Sequence, residues 1–192
     1  MNPRRSHQRT ARLLTNALNP FFIFTALYVL VALRESSVPR AILYVGIELI
    51  AATFVAGYVF LLRRHRQVGD FWISVRAERL TPALILLGTF AVLLGALVLL
   101  GAPESLFLTT LSMGLASATV AATTLFWKAS AHSAVAGHAV AAGLLILGPL
   151  GVVFALVLPA VLWARVASGV HTLPQAFAGA AVGATFALVF LI

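Results

Sequence analysis

Long apolar stretches separated by short polar segments dominate the chain. A helix needs about 20 apolar residues to cross the hydrocarbon core of a bilayer, and most of these stretches reach that length. The predicted spans are 13–33, 41–62, 81–100, 106–126, two within 133–164, and 173–192. The pattern therefore predicts an all-α fold, a polytopic bundle of six to seven transmembrane helices forming one integral membrane domain over 1–192.

The number of spans depends on the stretch 133–164, which contains no charged residue and is too long for one ordinary span. Gly148, Pro149 and Gly151 lie near its middle, and Gly and Pro commonly interrupt helices. We therefore predict two short spans here and seven in total.

The composition supports a membrane protein, because 61% of the residues are hydrophobic and 9% are charged, with a mean hydropathy of +1.04. Soluble domains carry roughly 25% charged residues. The absence of Cys excludes disulfides, thiolate catalysis and Cys-based metal sites. The net charge of +8 does not indicate a nucleic-acid partner, because the basic residues lie at the ends of apolar stretches, where they contact lipid headgroups.

The distribution of positive charge predicts the orientation of the bundle. With seven spans, only Arg34 and Arg40 of the 13 Lys and Arg residues fall on one side of the membrane. Lys and Arg accumulate in cytoplasmic segments, so the N-terminus and the basic side are expected to face the cytoplasm across a prokaryotic-type plasma membrane.

Three polar clusters, at 70–82, 128–132 and 165–175, interrupt the apolar pattern. Two predicted spans separate each cluster from the next, so all three should lie on the same side and can form one pocket. Together they provide four cations and two titratable imidazoles: Arg76, Arg79, Lys128 and Arg165, with His132 and His171. Arg and Lys bind phosphate oxygens, and His can act as nucleophile or acid, so this set indicates phosphate chemistry.

The spacing within two clusters resembles motifs of the type 2 phosphatidic acid phosphatase family, membrane lipid phosphatases related to the vanadium haloperoxidases. The family's third motif, Ser-Arg, five residues, His, three residues, Asp, has the same spacing as Ala164-Arg165, His171 and Gln175. The second motif, Pro-Ser-Gly-His, corresponds to Ala129 to His132, in which Ser130 and His132 are kept.

The first motif, Lys, six residues, Arg-Pro, is matched only at Arg79, because Trp72 replaces the Lys and Pro82 comes two residues late. The resemblance extends over about 70–183, a phosphatase-like core that includes Gly179 and Gly183 on one face of the last helix, where small residues permit close packing.

The resemblance implies specific roles for the cluster residues. His171 would attack phosphorus, His132 would protonate the leaving group, and Gln175, in place of the family's Asp, would orient His171. The phosphoryl oxygens would be held by Arg79, Lys128, Ser130 and Arg165, with Arg76 or Lys128 partly substituting for the missing Lys. The resemblance implies no metal or other cofactor.

The expected partner is a phosphorylated lipid or polyprenyl substrate, and three functions remain open. The chain could be a lipid or isoprenoid phosphate phosphohydrolase, a non-hydrolytic lipid-phosphate-binding or transport protein, or a phosphotransferase that uses an acceptor other than water. Glu48 is a separate candidate, because a carboxyl group inside a membrane span is costly and is a functional suspect, although it could equally be a packing residue.

Overall fold

A computed structural model describes residues 3–73 and 75–192; the side chains of residues 3–6 and of Arg76 lie outside that description. The described chain is helical, with no β-strand in it. Six stretches of it are long and apolar enough to cross a membrane. The prediction of an all-α polytopic membrane bundle is therefore confirmed.

The helices follow one another with short connections, except between α3 and α4. They are α1 (Pro3–Ala17), α2 (Pro20–Glu35), α3 (Val38–Arg64), α4 (Leu80–Leu99), α5 (Glu104–Thr123), α6 (Ala131–Ala142), α7 (Val152–Ala167) and α8 (Leu173–Leu191). A 3₁₀ turn, Arg76–Glu78, precedes α4.

The first apolar stretch is divided into two helices, α1 and α2. Asn19 adopts an extended conformation, and its Oδ1 accepts a hydrogen bond from the backbone N–H of Phe22 at 3.0 Å. Pro20 follows at the first helical position, where its missing N–H costs nothing. The predicted span 13–33 therefore contains a helix break, and its first residues belong to α1, which packs against α7.

The stretch from Ala131 to Ala167 folds back on itself as a hairpin of α6 and α7. A π-helical turn, Gly143–Leu147, and a 3₁₀ turn, Gly148–Gly151, connect the two helices, and Gly148 has a φ of 61° that favours glycine. His132 at the start of α6 and Arg165 at the end of α7 line the same cavity. The predicted division near 148–151 matches this hairpin, so the chain passes through the bundle seven times from α2 to α8.

Helix α8 packs against α6 with almost no side chain between the two backbones. A Cβ atom added at Gly137, Gly179 or Gly183 would collide with the backbone carbonyl of Ala180, Ser130 or Ala134 respectively. Small residues at a helix interface permit this close approach. The expected packing role of Gly179 and Gly183 is therefore what the structure shows, and the contact fixes the start of α6 beside the start of α8.

Candidate functional site

The three polar clusters meet at one end of the bundle. The backbone N–H of Ser130 donates to the carbonyl oxygen of Gln175 at 3.2 Å, which joins the second cluster to the third. Arg79 Nη1 donates to the carbonyl oxygen of Ala129 at 3.4 Å, which joins the first cluster to the second. The predicted convergence is therefore present in the structure.

Arg165 is the most deeply buried cation of this end of the bundle. It lies in the last turn of α7, its side chain is 2% exposed, and its Nε has no hydrogen-bond partner. Its carbonyl oxygen accepts a hydrogen bond from the backbone N–H of His171 at 3.2 Å. The turn after α7 thereby holds His171 beside Arg165, in the spacing noted in the sequence.

The ring of His171 is buried next to the cations. The backbone of Lys128 lies beside the ring and interacts with it, and Nδ1 has no hydrogen-bond partner. Burial, followed by the positive charges of Arg165, Arg79 and Lys128, lowers the pKa of His171 to about 3. His171 is therefore a neutral imidazole near pH 7, and its Nδ1 makes no hydrogen bond.

His132 lies on the other side of this group, where Trp72 holds its ring. The two rings meet edge to face with their centroids 4.9 Å apart, and His132 Nε2 has no hydrogen-bond partner. The indole Nε1 of Trp72 donates to Asn16 Oδ1 at 2.9 Å. Trp72 thus connects the end of α1 to the start of α6 and positions His132.

Arg79 and Lys128 complete the positive group, and Asp70 lies near both of them. Burial lowers the pKa of Arg79, while the charge of Asp70 raises it. Burial also lowers the pKa of Lys128, followed by the charges of Arg79 and Arg165. The Arg79 guanidinium is aimed by a hydrogen bond from Nε to the carbonyl of Ile73 at 2.9 Å. Three cations are therefore crowded around one carboxylate.

Two predicted site residues take part in helix caps. Gln175 Oε1 accepts from the backbone N–H of Thr172 at 3.1 Å, which makes it part of the capping box of α8. In this structure Gln175 is engaged in the helix cap and the ring of His171 lies beside the backbone of Lys128, so the predicted role of Gln175 in orienting His171 stays a prediction.

Ser130 caps α6, its Oγ accepting from the backbone N–H of Ser133 at 3.3 Å, and its side chain is fully buried. Its Oγ also accepts from the Ser133 hydroxyl at 2.9 Å, and its predicted role as a hydroxyl donor to a ligand stays a prediction. The Arg76 side chain lies outside the described residues.

A cavity of about 240 Å³ begins at the polar end of the bundle and continues between the helices. Arg79, His132, Arg165 and His171 line its polar end, and mostly apolar side chains of α2 to α6 line the remainder, with Glu48, Thr89 and Ser117 among them. The cavity reaches Met113 on α5, and the distance from Thr124 to Met113 along that helix is about 16 Å. We refer to this cavity as the cleft.

Sequence reasoning did not assign a role to several residues of the site. Trp72 stood out only as the residue replacing a family lysine, and Asn16 and Asp70 received no role. The sequence does show Trp72 two positions after Asp70, next to Arg76 and Arg79. That pattern alone does not predict their roles, because the residues they contact come from distant parts of the chain.

Comparisons with protein-family models, curated proteins and solved structures find no match for this chain. Within the part of the chain that the structure describes, no group of three or more His, Asp or Glu side chains is placed to hold a metal ion. Conclusions about function therefore rest on the cleft and its residues.

Proposed function

We propose that this protein is a membrane phosphatase that hydrolyses a lipid or isoprenoid phosphate through a histidine nucleophile. The observation that carries the proposal is the cleft, which has two guanidinium groups and two imidazoles at its polar end, with Lys128 near His171, and mostly apolar walls beyond. An amphiphile with a phosphate at one end and a hydrocarbon chain at the other fits this distribution.

The buried guanidinium of Arg165 supports an anionic ligand. A buried charge is costly unless it is paired and hydrogen-bonded, yet Arg165 Nε has no partner. Among the described side chains, Asp70 is the carboxylate whose charge acts on Arg79, Lys128 and Arg165, so three positive charges there face one negative charge. Phosphate oxygens would supply both the missing charge and the missing acceptor.

The apolar walls support a hydrocarbon chain as the rest of the ligand. The cleft is lined beyond its polar end by residues such as Phe24, Leu86, Phe90 and Val135. Burial of a methylene group stabilises a complex by about 0.8 kcal/mol, so a chain that fills the cleft would add substantially to affinity.

The proposed reaction has two steps, attack of His171 on phosphorus and hydrolysis of the phosphohistidine. His171 Nδ1 attacks phosphorus, an N–P bond forms, and the P–O bond to the leaving group breaks while His132 donates a proton to the leaving oxygen. Water then attacks the phosphohistidine, its proton passes to His132, and inorganic phosphate is released. The neutral form of His171 suits the first step, because only an unprotonated nitrogen can attack.

A non-hydrolytic lipid-phosphate-binding protein is the second candidate, and one observation favours it. His171 Nδ1 has no carboxylate partner, and Gln175 is engaged in the cap of α8, so no side-chain carboxylate in the motif balances a charged intermediate. Such a protein would bind the same ligands through the same cations but release no phosphate.

Release of inorganic phosphate from a panel of phosphatidic acid, phosphatidylglycerophosphate and polyprenyl phosphates, measured in detergent, separates the two candidates. The wild type should release phosphate from at least one of these substrates, and His171→Ala should abolish release. Arg165→Lys and Arg79→Lys should each lose about tenfold or more, which corresponds to roughly 1.4 kcal/mol, because lysine cannot reproduce the guanidinium fork.

The matched control is Arg64→Lys, because Arg64 is exposed at the end of α3, away from the cleft lining. This variant should keep full activity. If the wild type binds these lipids but releases no phosphate, the second candidate is supported. If lysine is tolerated equally at positions 64, 79 and 165, the proposed phosphate site is wrong.

We also propose that the polar end of the bundle faces the cytoplasm, because Arg34 and Arg40 are the only Lys or Arg residues that the structure describes at the opposite ends of α2 to α8. The chain has no Cys, so single cysteines report cleanly. In intact cells, His65→Cys should resist an impermeant thiol reagent and Ser37→Cys should react. The reverse result would place the cleft on the outside.

A further inference from the structure

A second polar group lines the cleft deeper in the bundle than the cations. Glu48 lies in the middle of α3, is 3% exposed, and contributes to the cleft wall. Its Oε1 accepts a hydrogen bond from Thr25 Oγ1 at 2.8 Å, which fixes the carboxyl group against α2. Its Oε2 is buried and has no hydrogen-bond partner.

The unpartnered oxygen requires an explanation, because a carboxyl group inside a membrane span without full hydrogen bonding costs free energy. The Tyr28 hydroxyl is close enough to interact electrostatically with Glu48, but it makes no hydrogen bond. Thr25 satisfies only one of the two oxygens. Because Glu48 lines the cleft, a water molecule or a ligand group that enters the cleft can supply the missing donor.

The depth of Glu48 relative to the polar end can be read from α2. Phe21 packs against Trp72, whose ring contacts His132, and Thr25 lies one helical turn further along the same helix. Thr25 and its partner Glu48 are therefore about 6 Å deeper in the bundle than Phe21. A ligand whose phosphate lies among the cations would place the first part of its chain at this level.

We propose that Glu48, held by Thr25, is a specificity residue that accepts a hydrogen bond from a donor on the ligand's chain, a few bonds from the phosphate. This inference rests on the proposed binding of a phosphorylated amphiphile in the cleft. The donor is a hydroxyl or an ammonium group; a plain hydrocarbon chain would leave Glu48 Oε2 unpaired.

The test measures the affinity of the purified protein in detergent for dodecyl phosphonates, which are not hydrolysed. One probe has a plain chain, and the others carry a single hydroxyl or a single amine at successive carbons. At one position near the phosphonate, the substituted probe should bind the wild type about tenfold more tightly than the plain probe, as expected for a hydrogen bond to a carboxylate. The hydroxyl and amine series identify the donor.

In Glu48→Leu the ratio of the affinities for the substituted and plain probes should fall to about one, while the affinity for the plain probe should change less than threefold. Thr25→Val should reduce the preference, because the carboxyl group loses the bond that aims it. Glu104→Gln is the control, because Glu104 is exposed at the opposite end of the bundle and should leave the preference intact.

The outcomes separate this inference from the proposed function. Arg165→Lys should weaken binding of the plain and substituted probes alike; if no probe binds, or if this variant has no effect, the phosphate site itself is wrong. If the probes bind and respond to Arg165→Lys, but no substituted probe is preferred or Glu48→Leu keeps the preference, the role of Glu48 is overturned.

Discussion

The two sides of the cleft are built in opposite ways. On one side, α6 and α8 meet backbone to backbone at Gly137, Gly179 and Gly183. On the other, α3 packs mainly against α2 and α4, and large apolar side chains of α3 such as Ile42, Ile50 and Phe54 are exposed. One side is a close-packed contact and the other is a peripheral wall that faces the surrounding lipid.

This difference matches the distribution of chemical groups. The imidazoles and Arg165 lie at the ends of α6 and α7 and beside α8, where backbone contact leaves little freedom to move. The residues that α3 contributes to the cleft are mostly small or apolar, such as Ala51, Ala52 and Val55, with Glu48 as the exception. Groups that need a defined geometry lie on the rigid side, and the wall for a flexible chain lies on the looser side.

The largest expected effect comes from inserting a side chain into the close-packed contact. Gly183→Val would place methyl groups where the Ala134 carbonyl and the His138 backbone N–H already lie. Overpacking typically costs about 1–3 kcal/mol, and a backbone collision cannot be relieved by a rotamer change. We expect a large fall in the melting temperature in detergent, together with loss of phosphate release.

The control for this variant lies on the looser half of the bundle. A Cβ added at Gly95 in α4 meets nothing within 4 Å, so Gly95→Ala should leave stability unchanged or slightly raised. If Gly183→Val melts like the wild type, the α6–α8 contact does not hold the site together, and the contrast between the two sides fails.

A smaller effect is expected at Trp72, which positions His132 from outside the close-packed contact. Trp72→Ala should lower phosphate release by about tenfold with a small change in melting temperature, because His132 loses the ring that holds it. Trp72→Phe keeps an aromatic face but loses the hydrogen bond to Asn16, so it should recover most of the activity.

If Trp72→Phe and Trp72→Ala lose activity equally, then the hydrogen bond to Asn16, rather than the ring contact, positions His132. Full activity in both variants would show that His132 is positioned by α6 alone.

Much of the fold follows from the sequence, because span length and apolar character are local properties. The 148–151 break and the packing role of Gly183 were predictable for that reason. The partners of Trp72 and Gln175 were not, since a side chain's hydrogen bond depends on which distant segment lies beside it. Motif spacing placed Arg165 and His171 together, but it could not show that Gln175 would bond to the helix start instead of to His171.

The smallest expected effect is at Gln175, where the structure and the motif resemblance make opposite predictions. Gln175 Oε1 accepts from the Thr172 N–H, so Gln175→Ala should cost about 0.5–2 kcal/mol of stability, as for other losses of a helix cap. Phosphate release per folded molecule should change less than threefold, because the ring of His171 lies beside the Lys128 backbone. A loss of a hundredfold or more with an unchanged melting temperature would instead restore Gln175 to the role that the motif implies, and would mean that its amide turns toward His171 when a ligand is bound.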